Sequence, residues 1–329
     1  MNEQFKLVKR AFDKFEKKLK KTSKKDSQCM VSNCDEKAIL SHSQQRNGQL
    51  KHICCGSKKV YALRDSMVKS FDMHSGAMNF KFVETPISKA STYPGLCNHH
   101  DTKLFKQIER QKLGEISSEQ AASFYYRSMS YESYRKKREL ERTKFVYNEV
   151  RDALNYEQVF GLYQMCNWHE KNYNNSVLVQ LSEIDEVIKS KNFEEIEYFQ
   201  IVLEKNVGVS CCSMVNMHLD LYLDFLGQYP DYIPSFSFNL VPFENETHVV
   251  LCWLKKNSLF MEEIIKYIKY DLEHFLNKVV FCESEDICVN PELWEGIDPI
   301  IKKAMYHNMS HTMQRGSLAW EDVPIIIKI

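Results

Sequence analysis

Cys29-Met30-Val31-Ser32-Asn33-Cys34 and, much further on, Leu96-Cys97-Asn98-His99-His100-Asp101 are the stretches that decide how this chain folds. Four residues separate Cys29 from Cys34, a spacing within the range of a zinc knuckle. The second stretch supplies a Cys-x-x-His directly before Thr102–Arg110, which reads as a helix with Leu104, Phe105 and Ile108 on one face. Cys29, Cys34, Cys97 and His100 are therefore candidate ligands of a four-coordinate zinc ion, with His99 competing for the fourth position. A closed Cys/His set is a structural site and contributes folding free energy directly. Here the metal would pin a knuckle to the start of a helix.

Between the two stretches, the apolar run Ala38-Ile39-Leu40 leads into Ser41-His42 and then the turn-rich Ser43-Gln44-Gln45-Arg46-Asn47-Gly48. A Cys pair, a short strand ending in His, a turn, and a Cys motif opening a helix together resemble the HNH endonucleases with a treble-clef zinc site. The resemblance covers residues 29–110, about a quarter of the chain. It implies that His42 is the general base and that Asp101 binds a catalytic Mg²⁺ or Mn²⁺. It also sets Ser41 where that family has its first metal ligand. Such chemistry is coherent: phosphodiester hydrolysis needs a deprotonated water and a cation to stabilise charge on the phosphate and the leaving oxygen. An imidazole with a pKa near ~6.5 suits the base, and a carboxylate suits Mg²⁺. Arg46 and Lys51 are candidate contacts to flanking phosphates, and DNA or RNA is the expected partner. Two departures stand out. Ser41 is a poor cation ligand, and Cys97 lies 55 positions after His42, so an insertion carrying His74 and Glu84 lies inside the motif. The alternative to an enzyme is a catalytically inactive, zinc-stabilised module that binds nucleic acid or protein.

The composition fits a folded body. Of 329 residues, 43% are hydrophobic and 12% aromatic, with 10 Gly and 8 Pro, which excludes fibrous and globally disordered classes. No run approaches the ~20 apolar residues of a transmembrane helix, and the charged first 28 residues lack a signal-peptide core. With 11 Cys and no secretion signal, a reducing, cytoplasmic setting without membrane attachment is expected. Gly-rich phosphate loops, Gly-x-Ser-x-Gly elbows and dinucleotide fingerprints are missing, which disfavours ATP and nicotinamide enzymes.

The fold expected is α+β in four parts: a basic helix in 1–28, the HNH-like module in 29–113, a helical connector in 114–205, and a C-terminal α+β region in 206–329 with a small antiparallel sheet. In the first part, Phe5, Val8, Phe12, Phe15 and Leu19 form one stripe, while ten Lys or Arg oppose four acids. The chain is neutral, 44 against 44, so the remainder is net negative. Such asymmetry marks either a nucleic-acid contact or a solvated face on a docked helix. Ser117 with Gln120 reads as a capping box, and helices are expected over Glu119–Tyr156, Val179–Lys189 and Phe193–Lys205. Strands are expected at Val207–Met217, Phe236–Leu240 (half-buried) and Val249–Leu254 (central), the last two as a hairpin. A helix over Leu259–Phe281 and another near Leu293–Met305 precede an Ile325–Ile327 end that closes a sheet edge or packs as a tail. Weaker candidates are His218 with Asp220 and Asp224, the Cys211-Cys212 pair, and His307 with His311, while Trp294 and Trp320 read as core anchors. A nuclease-like module joined to so large a second half fits a bacterial effector, for instance in phage defence, with a protein partner at the C-terminal region.

Overall fold

A computed structural model describes residues 3–22, 27–63, 71–72, 77–78, 81–109, 113–216, 234–315 and 323–329. The chain begins with α1 (Glu3–Thr22), β1 (Leu40–His42), α2 (Gln49–Ile53), β2 (Lys59–Leu63), β3 (Phe71–Asp72), β4 (Ala77–Met78), β5 (Phe82–Pro86), β6 (Thr92–Pro94) and α3 (Asn98–Glu109). It continues with α4 (Ser118–Val150), α5 (Tyr156–Asn172), α6 (Leu178–Ser190), β7 (Ile196–Leu203), β8 (Val209–Val215), β9 (Phe236–Pro242) and β10 (Thr247–Leu254). It ends with α7 (Ser258–Tyr270), α8 (Leu272–Lys278), β11 (Ile287–Val289), α9 (Pro291–Gly296) and α10 (Pro299–Arg315).

Mixed helix and antiparallel sheet is the class expected. The sheet is larger than the small one anticipated. Seven strands pair antiparallel in the order β5-β2-β11-β8-β9-β10-β7, and β1-β6 and β3-β4 form separate two-stranded ribbons. Two of the seven strands, β2 and β5, come from the segment read as a self-contained module. The three-residue β11 carries them, pairing Cys288 with Ala62 on one side and with Ser210 on the other.

The central strands are buried along their whole length. The period-two alternation divides them between two cores. Phe236, Phe238, Leu240, Val249, Leu251 and Trp253 pack with Met261, Ile264 and Ile268 of α7, Phe275 and Leu276 of α8, and Met305 of α10. Val241, Val250, Cys252 and Leu254 pack with Ala121, Phe124 and Tyr125 of α4 and Leu181, Ile184 and Val187 of α6. Helices thus cover both faces. The strand Phe236–Pro242 is consequently buried on both faces, where its Ser/Asn alternation reads as half-exposed. Asn239 is reached by Ser128 of α4, whose hydroxyl donates to its Oδ1 at 3.4 Å.

The helix expected over Phe193–Lys205 is replaced by a single 3-10 turn at Phe193–Glu195 and then a strand. Ile196–Leu203 is an eight-residue strand pairing with β10 from Ile196↔Leu254 to Leu203↔Thr247. Its aromatic and β-branched content suits a pleated edge, and the ladder supplies hydrogen bonds that a short helix there would have to make alone. The Leu259–Phe281 helix breaks at Asp271, whose Oδ1 accepts from His274 N at 2.9 Å and caps α8. The Ser117–Gln120 capping box is present. Trp294 is a core anchor; Trp320, and His218 with Asp220 and Asp224, lie outside the described residues.

The tail packs rather than pairs. Asn277, fully buried, accepts from Ile326 N at 2.7 Å and Ile327 N at 2.8 Å and donates to Ile327 O at 2.7 Å. Asn277→Ala strands these buried backbone groups, and urea unfolding should register a loss of about 2–4 kcal/mol; a loss under about 0.5 kcal/mol would show that the tail is not held this way.

Candidate functional site

The knuckle is shaped by backbone. Cys34 N donates to Val31 O at 3.2 Å, and Asn33 takes φ 64°, a left-handed value that Asn tolerates better than most residues. Cys29 N donates to Glu36 O at 2.9 Å, closing the loop. Met30 N and Ile39 N donate to Gly95 O at 2.9 Å and Leu96 O at 2.7 Å, which fastens the loop beside the segment entering α3. Tyr93 leans over this segment so closely that a Cβ on Gly95 would lie 2.3 Å from its ring. Cys97 precedes the first residue of α3, and its carbonyl accepts from Asp101 N at 2.9 Å, the opening turn of that helix.

The donor atoms of Cys29, Cys34, Cys97 and His100 all lie within 4.8 Å of one another. Cys34 Sγ and Cys97 Sγ are 4.0 Å apart, and His100 Nδ1 lies 3.5 Å from Cys29 Sγ and 3.3 Å from Cys97 Sγ. Metal–sulfur bonds of about 2.3 Å and a metal–nitrogen bond of about 2.0 Å imply tetrahedral edges of about 3.8 Å between sulfurs and about 3.5 Å between sulfur and nitrogen. The observed spacings are those of a four-donor shell able to hold a metal ion. His100, not the exposed His99, belongs to it. Burial pushes the Cys29 thiol up to about 11. At Cys97 burial also works upward, but backbone donors at His100 and His99 and the neighbouring thiols outweigh it, and its pKa is lowered. Burial and the charges of His99 and Lys103 lower His100, keeping its imidazole neutral as ligation requires. Asp185 of α6 opposes that shift and accepts from Ser32 Oγ at 3.3 Å, so a carboxylate flanks the cluster. Its sequence position, 85 residues past His100, gave no sign of this.

Beside the cluster stand β1, β6 and α3. Leu40, Ser41 and His42 pair with Pro94, Tyr93 and Thr92. Alternation sends neighbouring side chains to opposite faces. Ser41 is buried and its Oγ accepts from Leu96 N at 3.4 Å, so its hydroxyl serves the backbone. His42 lies partly buried on the other face, and its Nε2 has no hydrogen-bond partner. Burial lowers the His42 pKa, as do the Arg46 and Arg127 charges, while a hydrogen bond to the Ile87 backbone and the charge of Asp101 raise it. The imidazole is therefore neutral at pH 7 and has a nitrogen to offer. Asp101, on the first turn of α3, has a buried Oδ1 that is likewise without a partner. The two residues predicted to work together are thus electrostatic neighbours. Arg127 was not foreseen: it pairs with Glu109, lies 4.1 Å over the Phe105 ring, and is felt at His42.

Arg46 is exposed and within electrostatic reach of His42. Lys51 is exposed on α2, and no interaction ties it to His42 among the described residues. Glu84 is an edge residue paired with Lys59 at 2.8 Å, away from the centre, and His74 lies outside the described residues. Cys211 and Cys212 are buried with pKa values raised by that burial, Cys211 to about 12, which marks inert thiols. The side chain of His311 lies outside the described residues. A cleft of about 610 Å³ opens elsewhere, lined by Leu113, Glu115, Gln200, Val202, Glu246 and His248. No helix among the described residues is long and apolar enough to cross a membrane. No protein-family model matches the chain, and neither the curated proteins nor the solved structures contain a match to it.

Two predictions follow from this geometry. The purified chain should hold one transition-metal ion, and Cys29→Ser or Cys97→Ser should lose it with a fall in melting temperature; elemental analysis finding none in the unsubstituted chain would refute the shell. The second concerns Asp286, which ties the His42 strand to the sheet by accepting from Ser43 Oγ, while its carbonyl accepts from Gln44 Nε2 at 3.0 Å. Burial raises Asp286 from 3.8 to about 7. A folded-state pKa above the unfolded one means the stabilisation is complete below pH 4 and is lost as pH rises through 7. Asp286→Asn should flatten that limb of the stability–pH curve between pH 4 and 7; an unchanged slope would refute the assignment.

Proposed function

We propose that the chain is a metal-dependent endonuclease of the HNH kind, stapled by a structural zinc ion at Cys29, Cys34, Cys97 and His100. A Cys₃His shell leaves no open position, so this ion orders the helix start rather than reacting. The observation that carries the reading is the pair of orphaned atoms beside it. A buried nitrogen and a buried carboxylate oxygen without partners are costly in a folded protein and call for something that satisfies them. His42 Nε2 and Asp101 Oδ1 are such a pair, one at the end of β1 and the other on the first turn of α3.

In this reading a water molecule lies against His42 Nε2. The neutral imidazole takes its proton as the oxygen attacks phosphorus, and the phosphorus–oxygen bond to the leaving nucleotide breaks. The Ile87 backbone holds the ring in place while it becomes imidazolium, and the nearby Asp101 charge favours that form. Asp101 Oδ1 would hold a catalytic Mg²⁺ or Mn²⁺. One carboxylate with substrate phosphate oxygens and water suffices for such ions, so the loss of a ligand at Ser41 does not exclude binding. The ion supplies charge neutralisation at the phosphate and the departing oxygen. Arg46, exposed beside His42, contacts a flanking phosphate, with Lys51 further out on α2.

A second reading, a zinc-stabilised binding module without catalysis, is favoured by one observation: both orphaned atoms are buried, and the cleft described above is lined by neither residue. Cleavage assays decide between them. With Mg²⁺ or Mn²⁺, plasmid, single-stranded DNA or RNA should be cut, and His42→Ala should slow cutting at least about a hundredfold while the zinc content stays at that of the parent. Full activity in His42→Ala would remove the base assignment. Intact substrates under every metal, with binding retained, would favour the second reading.

A further inference from the structure

The basic helix α1 is unused by the centre just described, yet its charge is arranged rather than scattered. It carries eight Lys or Arg against three acids. Its apolar side is packed at the described side chains: Leu7, Val8, Ala11 and Phe12 lie on Val146, Val150, Leu154 and Leu162, and Phe15 meets Phe145 at 5.5 Å between ring centres. Two ion pairs fix it further, Glu16 with Arg138 at 2.9 Å and Lys14 with Glu149 at 2.6 Å. The opposite side faces water. There Lys9, Arg10 and Lys17 are exposed around the exposed acid Asp13, and none of the three has an ion-pair partner within 4.0 Å among the described residues.

Its direction matters as much as its charge. Lys14 meets Glu149, Phe15 meets Phe145, and Glu16 meets Arg138, so α1 runs antiparallel to α4. Its later residues therefore lie toward the α4 segment that holds the candidate centre. Ser130 there binds the hydroxyl of Tyr93 at 2.7 Å, and Tyr93 pairs with Ser41 on the strand of His42. At about 1.5 Å per residue, Lys9 to Lys17 covers about 12 Å and Arg138 to Ser130 another ~12 Å. The two lengths together match about seven base-pair steps of duplex at about 3.4 Å each.

We propose that the solvent face of α1, through Lys9, Arg10 and Lys17, is a docking rail for the phosphate backbone of duplex nucleic acid, aligning it toward His42 and Asp101. The proposal rests on the reading of that centre as one acting on nucleic acid. Three unpaired cations on a rigid helix suit a polyanion, because each contact releases condensed counterions without first breaking a protein ion pair. An anionic bilayer is the poorer match. Amphipathic helices bind membranes by burying their apolar side in the interface, and here that side is committed to α4 and α5.

The test is fluorescence anisotropy of a labelled 25-base-pair DNA duplex across a salt series, without added divalent cation, using the full chain. Three proteins are compared: the parent, K9Q/R10Q/K17Q, and a charge-matched control, K37Q/K205Q/K303Q, at exposed positions elsewhere. Gln keeps helix propensity, and circular dichroism confirms folding. The α1 variant should lower the slope of log K against log salt by 2 to 3, since each lost phosphate contact removes about 0.9. Extrapolated from a common limit at about 1 M salt, this is about a hundredfold to a thousandfold weaker binding at 0.1 M. The control should match the parent. Equal slopes for parent and α1 variant overturn the rail, and so does an equal loss in the control. Loss of binding to vesicles of phosphatidylserine and phosphatidylcholine, with duplex binding untouched, overturns it in favour of a membrane surface. If no metal supports cleavage yet the α1 charges still set duplex affinity, the nuclease reading falls and the rail stands.

Discussion

Helix α4 is the member on which the other parts lean, and the constraint on its Ala121–Ser130 segment is burial on every side. Ten consecutive residues, Ala121 to Ser130, are buried. A helix so enclosed cannot follow the usual amphipathic pattern, because no face is left for water. Its sequence answers with small residues and with hydroxyls that bond to their own helix. Ser123 Oγ donates to Glu119 O at 3.0 Å, Ser128 Oγ to Phe124 O at 3.2 Å, and Ser130 Oγ to Arg127 O at 3.0 Å. Small side chains let the sheet approach, and the local bonds remove the penalty of enclosed polar atoms. The sheet, the Cys/His knuckle and α1 are then positioned relative to one another through this one element.

Further along, α4 buries charge as well as hydroxyls. Arg135, Glu139 and Arg142 are each under a tenth exposed, and His169 of α5 lies against them. Burial alone would raise Glu139, but the charges of Lys136, Arg135 and Arg142 outweigh it and lower it to about 2. Arg135 also pairs with Glu285, next to the Asp286 that anchors the His42 strand. The centre is thus braced from three directions: the sheet through Asp286, α4 through Arg127 and Ser130, and the knuckle through Cys97.

Much of this was legible where the signal is local. The Cys and His spacing of the shell, the strand ending at His42, the capping box at Ser117 and the β9–β10 hairpin all depend on residues close in sequence or on side chains with few roles. What was not legible is non-local. Local pattern does not separate the strand Ile196–Leu203 from a continuing helix, and its pairing with β10 is what decides. The joining of β2 to β11 links Ala62 with Cys288, a contact that no short-range pattern announces. Asp185 and Arg127 reach the centre from helices whose sequence reads as ordinary, and only packing brings them there. The ligand shell could be read because cysteine and histidine are scarce; its supporting carboxylate could not, because acids are common.

The sheet order has a consequence for synthesis. Strand β11 occupies the third position, between the pair built from residues 59–86 and the strands built from 196–254. A ribosome makes the chain from its first residue onward, so the early strands wait without their neighbour until residue 289 emerges. During that interval Ser43 and Gln44 have no Asp286 to hold, and the histidine between them and the knuckle sits on an unanchored ribbon. A growing polypeptide therefore carries the candidate site in an unfinished form until β11, ending at Val289, has been made.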